Sequence, residues 1–409
     1  MFGRHGDAAY WFGRALARPA EPTLDRDLAQ ALLILNRFGD DSTFGIPGSG
    51  DNKAELRALA DRLLAYPELP GFAGALTAVT LVFLEEKDAA LALLQRLVDG
   101  PDVWLAGLAH MFRASFAENE GNLEQVRTDV TAALDCFGRV GDRWGLTTVL
   151  PMRALLRQYD GDLDGALADL RAARAKAREF GSLSSSDEIF IDMRWVDLYM
   201  RRGDEEGAIA MLESVRERTR RVNSAELTMV VRALEASVWV RLGDLGRAEA
   251  LIDETEAARI GIRPVAGDHG RALLGSVRAW LCLARGDGPG AEAALADAYA
   301  GAVESGDMPL LAMVAVTAAG LAQLYGRHAD AAQLLGAAAR LRGTHDWTDL
   351  QVRELSHRSR AELSEEGFTD AYDRGWQLDG QTARTSIDPA RLRREALPAG
   401  DSASSSDHS

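Results

Sequence analysis

The chain has 409 residues, a formal net charge of −16, 47% hydrophobic residues and only 7% aromatics, enough apolar material for a large core but a poor supply for sheets. The acidic balance disfavours direct binding to nucleic acid, whose phosphates demand a basic face. Cys136 and Cys282 stand far apart with no CxxC and no Cys/His cluster, so neither a disulfide framework nor a zinc site is suggested, which fits a reducing compartment. No apolar stretch approaches the ~20 residues needed to cross a bilayer, and the N-terminus lacks the apolar core of a signal peptide, so a cytoplasmic location is expected.

In chain order, residues 1–20 read as an incomplete first hairpin, because Gly3-Arg4-His5-Gly6-Asp7-Ala8-Ala9 matches Gly326-Arg327-His328-Ala329-Asp330-Ala331-Ala332. Phe12 and Ala15 follow at the matching offsets. Residues 24–38 and 52–65 are helical runs separated by a loop at 39–51, rich in breakers. Within it, Gly45-Ile46-Pro47-Gly48-Ser49-Gly50-Asp51-Asn52-Lys53 invites comparison with a phosphate cradle. A Walker A loop needs Gly-Lys-Ser/Thr leading into a helix, and Asp51 would repel phosphate, so the segment reads as a linker. Glu86-Lys87-Asp88 is a degenerate repeat turn, followed by a helix over 89–98.

From residue 121 a repeat is explicit. Glycine followed by Asp, Asn or Arg recurs at Gly121, Gly161, Gly203, Gly243, Gly286 and Gly326, spaced 40, 42, 40, 43 and 40 residues apart. Five residues after these glycines stand Val126, Ala166, Ala208, Ala248, Ala291 and Ala331; larger apolar residues such as Leu170, Leu212 and Leu335 follow at offset nine. Offsets of five, nine and twelve trace one face of a helix. A second apolar face precedes each glycine, as at Leu156, Leu198 and Leu281, five residues before it. Each unit is therefore helix A, a tight turn in which glycine takes a backbone conformation costly for other residues, and helix B capped by Asp or Asn. A lone hairpin cannot bury both faces, so the units must stack into a solenoid with an extended concave surface. The repeats span 1–345; residues 346–380 read as capping helices and 381–409 as a largely disordered tail.

The chemistry-bearing residues assemble into no reaction centre. Seven histidines contain no i,i+4 pair and no HExxH, so no metal site is indicated. Ser184-Ser185-Ser186-Asp187 has no Gly-x-Ser-x-Gly elbow and reads as a loop with an N-cap. Carboxylate pairs such as Glu85-Glu86, Glu205-Glu206 and Glu365-Glu366 fall beside helix starts or on polar faces. Trp195, Trp239 and Trp280 lie eight, four and six residues before their glycines, off any common face; core filling is expected of them, with a ligand-facing role for whichever is exposed. Arg201-Arg202, Arg216 to Arg221, and Arg391, Arg393 and Arg394 read as helix-end compensation, with an acidic peptide or phosphate site as the alternative.

The Gly-Asp turn with alanine five residues on resembles the tetratricopeptide (TPR) pattern, at a period longer than that family's 34 residues. The block Ala331-Ala332-Gln333-Leu334-Leu335-Gly336-Ala337-Ala338-Ala339-Arg340-Leu341-Arg342-Gly343, followed by Arg360, Leu363, Phe368, Ala371-Tyr372 and Gly375, resembles the end of large actinobacterial transcriptional regulators of the SARP and LuxR types. The resemblance implies an all-α, TPR-like right-handed superhelix, about 40–43 residues per repeat, over residues 1–380. It also implies the sensory or partner-binding arm of a STAND-type ATPase regulator, without DNA-binding or ATPase modules of its own. The expected partners are a protein segment or small effector on the concave face and a separate DNA-binding or ATPase regulator, with no cofactor and no catalysis. A stand-alone adaptor without a transcriptional role is the alternative. The repeat-defining residues are Gly161, Ala166, Gly203, Ala208, Gly243, Ala248, Gly286, Ala291, Gly326 and Ala331; no ligand contact is assigned from sequence.

Overall fold

The computed structural model describes residues 5–21, 23–39, 50–66, 69–180, 185–221, 225–259 and 269–394. The glycine-rich segment 40–49, Ser184 and residues 395–409 lie outside these described residues. Helices α1 (His5–Leu16), α2 (Leu24–Gly39), α3 (Gly50–Leu64), α4 (Gly71–Phe83) and α5 (Lys87–Val98) open the chain. Three hairpins follow: α6 (Val103–Asn119) with α7 (Leu123–Val140), α8 (Arg143–Tyr159) with α9 (Leu163–Phe180), and α10 (Ser185–Arg202) with α11 (Glu205–Thr219). Three more pair α12 (Ala225–Leu242) with α13 (Leu245–Arg259), α14 (His269–Ala284) with α15 (Gly288–Ser305), and α16 (Met308–Leu324) with α17 (His328–Arg342). The end is formed by α18 (Leu350–Trp376), α19 (Gly380–Ser386) and α20 (Pro389–Arg394). Among the described residues the chain is all-α.

One dipeptide builds each hairpin turn. Gly161 adopts φ +83° and ends α8, with the Asp162 N–H donating back to the Arg157 carbonyl at 2.8 Å. The Asp162 carboxylate then accepts from the Gly165 N–H at 2.9 Å, capping α9. Glycine thus satisfies the last carbonyls of one helix while aspartate satisfies the first amides of the next. The pattern repeats at Gly203-Asp204, Gly243-Asp244 and Gly286-Asp287, and all three glycines have positive φ. Gly326 also has positive φ, but Arg327 cannot accept an amide hydrogen and caps nothing with its side chain. At the degenerate turn, Glu85 itself takes φ +65° where the other turns use glycine.

The alanines five residues on, Ala166, Ala208, Ala248, Ala291 and Ala331, are fully or almost fully buried, so each B helix lies close against its A helix. Each A helix stacks on the next, from α4 through α6, α8, α10, α12, α14 and α16 to α18. Each B helix packs against the A helix that follows it. The A helices therefore form the inner layer of a TPR-like superhelix.

The C-terminal block has its own packing logic. Gly336 on α17 and Gly375 on α18 face each other's backbone: a Cβ on Gly336 would collide with the Tyr372 carbonyl oxygen, and one on Gly375 with the Gln333 carbonyl oxygen. The two helices approach as closely as their backbones allow. α18 is broken at Ser364, which takes φ +70° and whose hydroxyl accepts from the Gly367 N–H at 3.3 Å, restarting the helix.

The expectation of a tail from residue 381 is corrected for its first part. α19 and α20 continue the fold, and Ala383, Ile387 and Leu392 are buried in the same core as α14 to α18. Three apolar residues spaced four and five apart suffice to dock this otherwise polar segment. Tyr299 donates to the Arg384 carbonyl at 3.2 Å and Arg327 to the Leu392 carbonyl at 2.7 Å, fixing its path.

The same substitution should have opposite signs at two helical glycines. Gly138→Ala on α7, where an added Cβ meets nothing, should stabilise by about 0.5–1 kcal/mol. Gly336→Ala should destabilise by about 1–3 kcal/mol through overpacking against α18. Urea denaturation midpoints of the two variants test this.

Candidate functional site

The superhelix turns far enough for its end to meet its own inner face. At the turn between α6 and α7, a Cβ on Gly121 would collide with the Leu341 carbonyl oxygen, and one on Gly343 with the Gly121 carbonyl oxygen. Only two glycines permit this backbone contact, and both have positive φ. Beyond it, the connection from α17 to α18 runs along the inner ends of α8 and α10.

Arg201, near the end of α10, receives that connection. Its Nη1 donates to both Asp346 carboxylate oxygens at 2.9 and 3.1 Å and to Thr348 Oγ1 at 2.8 Å; its Nη2 reaches Asp349 at 3.4 Å. Nε binds Asp197 on its own helix at 2.6 Å. With its amide oxygen turned toward Arg201, Gln158 of α8 accepts from Nη2 and Nε at 3.2 and 3.1 Å. The Arg201 side chain is 8% exposed and that of Asp346 1%. Burial opposes the guanidinium charge, but Asp197, Asp349 and Asp346 overcome it and raise the Arg201 pKa. Burial likewise opposes the Asp349 charge, yet Arg201 and Arg241, helped by the Val352 N–H, hold its carboxyl below the usual range. Asp349 also caps α18, accepting from the Gln351 and Val352 amides. The cluster is thus a latch between residues 145 positions apart in sequence.

An aromatic stack supports the latch from outside. His345 lies 4.3 Å from the Trp376 ring centroid and is stacked against Trp347 at 5.9 Å. The Tyr372 hydroxyl lies 2.8 Å from His345 Nδ1. Burial disfavours the imidazolium and lowers the His345 pKa, against a smaller opposing pull from Asp373.

Between the latch and the inner helices lies a cavity of about 310 Å³. Its walls come from α10, α12, α14 and α16, with Arg342, Asp346, Asp349 and Gln351 closing one side. A second cavity of about 450 Å³ adjoins it and shares Val240, Arg241, Trp280 and Gln351. The lining follows the repeat register. Tyr159, Arg201, Arg241, Ala284 and Leu324 stand two residues before successive turn glycines, and all line one cavity or the other. Ser237, Trp280 and Gly320, six before their glycines, do likewise. Spacing of about four residues puts these positions on one helix face, distinct from the hairpin-core positions five and seven before the glycine.

Residues singled out in the sequence fall in different places. Trp195 and Trp239 are buried, whereas Trp280 is partly exposed and lines both cavities. Arg202 pairs with Asp164 of the preceding repeat, as helix-end compensation requires, while Arg201 turns inward. Arg216 pairs with Glu235, Arg218 with Glu188 and Asp192, and Arg220 and Arg221 with Glu217, so that cluster is neutralised on the spot. His110 contacts buried Asp129 at 2.7 Å. Among the described residues, no group of three His, Cys, Asp or Glu side chains could hold a metal ion, and no helix is long and apolar enough to cross a membrane. Both thiols are free and pushed up by burial, Cys136 and Cys282 alike.

The class this architecture defines is the tetratricopeptide-like α-superhelix. No family model and no curated protein matches the chain. Among solved structures it is similar to a Signal Transduction ATPase with Numerous Domains (STAND) protein with a tetratricopeptide repeat sensor from Pyrococcus horikoshii. The identity is 14% and the TM-score 0.45, over 90% of this chain and 55% of that one, so the chain spans little more than half that protein's length. It is also similar to the TPR domain of P58(IPK), with 14% identity and a TM-score of 0.26, over 84% of this chain and 99% of that one.

Two outcomes follow from the latch. Arg201→Ala leaves Asp346 without its guanidinium and Asp349 with only the more distant Arg241 and Arg342, and should cost about 3–5 kcal/mol, measured by urea denaturation. The lowered His345 pKa means that the unfolded chain binds more protons just below the ordinary imidazole value of about 6.5, so stability should fall as pH drops through that region. Wild type should therefore lose more stability than His345→Phe between pH of about 7.5 and 5.5, read as the difference in midpoint.

Proposed function

We propose that this chain is a non-catalytic regulatory arm that works in the cytoplasm. Its inner face receives an effector or partner segment, and occupancy passes to a transcriptional output through a separate DNA-binding or ATPase regulator. The observation carrying this reading is that the latch and the cavity share side chains. Arg201, Asp346 and Asp349 hold the end of the superhelix on its inner face and also line the 310 Å³ cavity. Whatever fills the cavity contacts the groups that hold the ring shut, so binding energy differs between closed and open superhelix. Differential affinity of this kind is what a ligand needs to shift a two-state equilibrium. The C-terminal block resembling SARP- and LuxR-type regulators supplies the transcriptional part of the proposal.

A non-catalytic role agrees with the site's chemistry. The buried latch carboxylates are engaged with Arg201, and burial pushes both thiols up rather than activating them. The cavity combines apolar walls with a few polar groups, the usual lining of a small-molecule site.

The test is transcript profiling in the source organism of three strains: wild type, an in-frame deletion, and the latch variant Asp346→Ala/Asp349→Ala. The latch variant should shift the same transcripts as the deletion, or shift them in the opposite sense as a constitutive form. Identical profiles in all three strains would refute a transcriptional role and leave an adaptor.

A further inference from the structure

We propose that the 310 Å³ cavity is a binding site for a small organic monoanion, a carboxylate carried on an apolar body, and that Arg342 holds the anionic end. This inference rests on the proposed reading of the cavity as an effector site and adds the chemical class of the effector.

The polar inventory of the cavity carries the argument. Asp346 and Asp349 already have partners, accepting from Arg201, from Thr348 and from backbone amides. The donors are not. Arg342 is 9% exposed, yet its guanidinium makes no hydrogen bond and meets no carboxylate within ion-pair distance among the described residues. It lies 5.9 Å from the Tyr159 ring, and its charge acts on Asp349 only from beyond ion-pair distance. Ser276, 1% exposed, has a buried hydroxyl with no partner. Arg241 reaches Asp197 only through Nη1 at 3.7 Å, and its buried Nε has no partner. One cavity therefore presents three incompletely used donors, two of them cationic, and no carboxylate with comparable spare capacity. Buried charges are ordinarily paired, and a guanidinium recognises a carboxylate through two parallel hydrogen bonds.

Size and walls define the rest of the ligand. A water occupies about 30 Å³ of the liquid, so the cavity has room for roughly ten waters, or an organic molecule of about that many non-hydrogen atoms. Met193, Val230, Leu234, Leu273, Val277 and Met313 supply an apolar, partly flexible surround. Inorganic phosphate would leave those walls uncovered. The net charge of −16 repels anions at long range, so recognition must come from these local donors.

The probe pair is octanoate and octanamide, which match in length and differ in charge. Isothermal titration of the full 409-residue chain at neutral pH should show octanoate binding one to one, at least about tenfold tighter than octanamide. Arg342→Gln should abolish that preference and leave octanamide affinity unchanged, while Arg342→Lys should retain part of it. Far-UV circular dichroism and melting temperature check that both variants fold. If Arg342→Gln does not fold, the wild-type comparison still decides. Equal affinity for the two probes in wild type overturns the anion assignment and leaves the cavity as a site for a neutral effector. Binding of neither overturns both. An octanoate preference that survives Arg342→Gln overturns the role of Arg342.

Discussion

Everything distinctive about this molecule depends on one buried guanidinium. Six explicit hairpins in series would give an open solenoid whose end could lie anywhere along its pitch. Arg201 fixes that end, because it pairs with buried Asp346 and, together with Arg241, keeps Asp349 charged, while the α6–α7 turn leaves room for only one approach, through Gly121 and Gly343. Removing two carboxylates and a guanidinium from water carries a desolvation cost that their mutual attraction need only offset, so the latch specifies a geometry more than it adds stability. The consequence is a superhelix that encloses space.

The hairpins were legible in the sequence because their information is local. Gly161-Asp162 and its equivalents terminate one helix and cap the next within a few residues, and Ala166, Ala208 and Ala248 mark the crossings. The closure was not legible. It arises from small rotations accumulated over successive units, and it joins residues 145 positions apart. Arg201 and Arg202 are neighbours of the same type, but α10 turns one inward to Asp346 and the other outward to Asp164. A usable signal was present in the repeat register: Tyr159, Arg201 and Arg241 occupy the same position before Gly161, Gly203 and Gly243. Large polar side chains at a position outside the hairpin core mark the inner face. The same register separates Trp280, on that face, from Trp195 and Trp239. The docked segment 381–394 escaped sequence reading because its three buried apolar residues form no strong amphipathic pattern.

Closure also gives the inner face an unusual electrostatic character for so acidic a chain. The inter-repeat arginines on the outside are matched with carboxylates, as Arg218 is with Glu188 and Asp192, or Arg278 with Asp253 and Glu256. Inside, Arg342 and Arg241 retain donor capacity beside a pair of aspartates already occupied by Arg201.

The most direct measurement is the separation of the two ends in solution. With Cys136 and Cys282 replaced by serine, nitroxide labels on Asn119 and Arg340 sit within two residues of the contact between Gly121 and Leu341. The account predicts strong dipolar coupling and a single narrow, short distance. A broad distribution centred on the much longer separations of an open solenoid would contradict it.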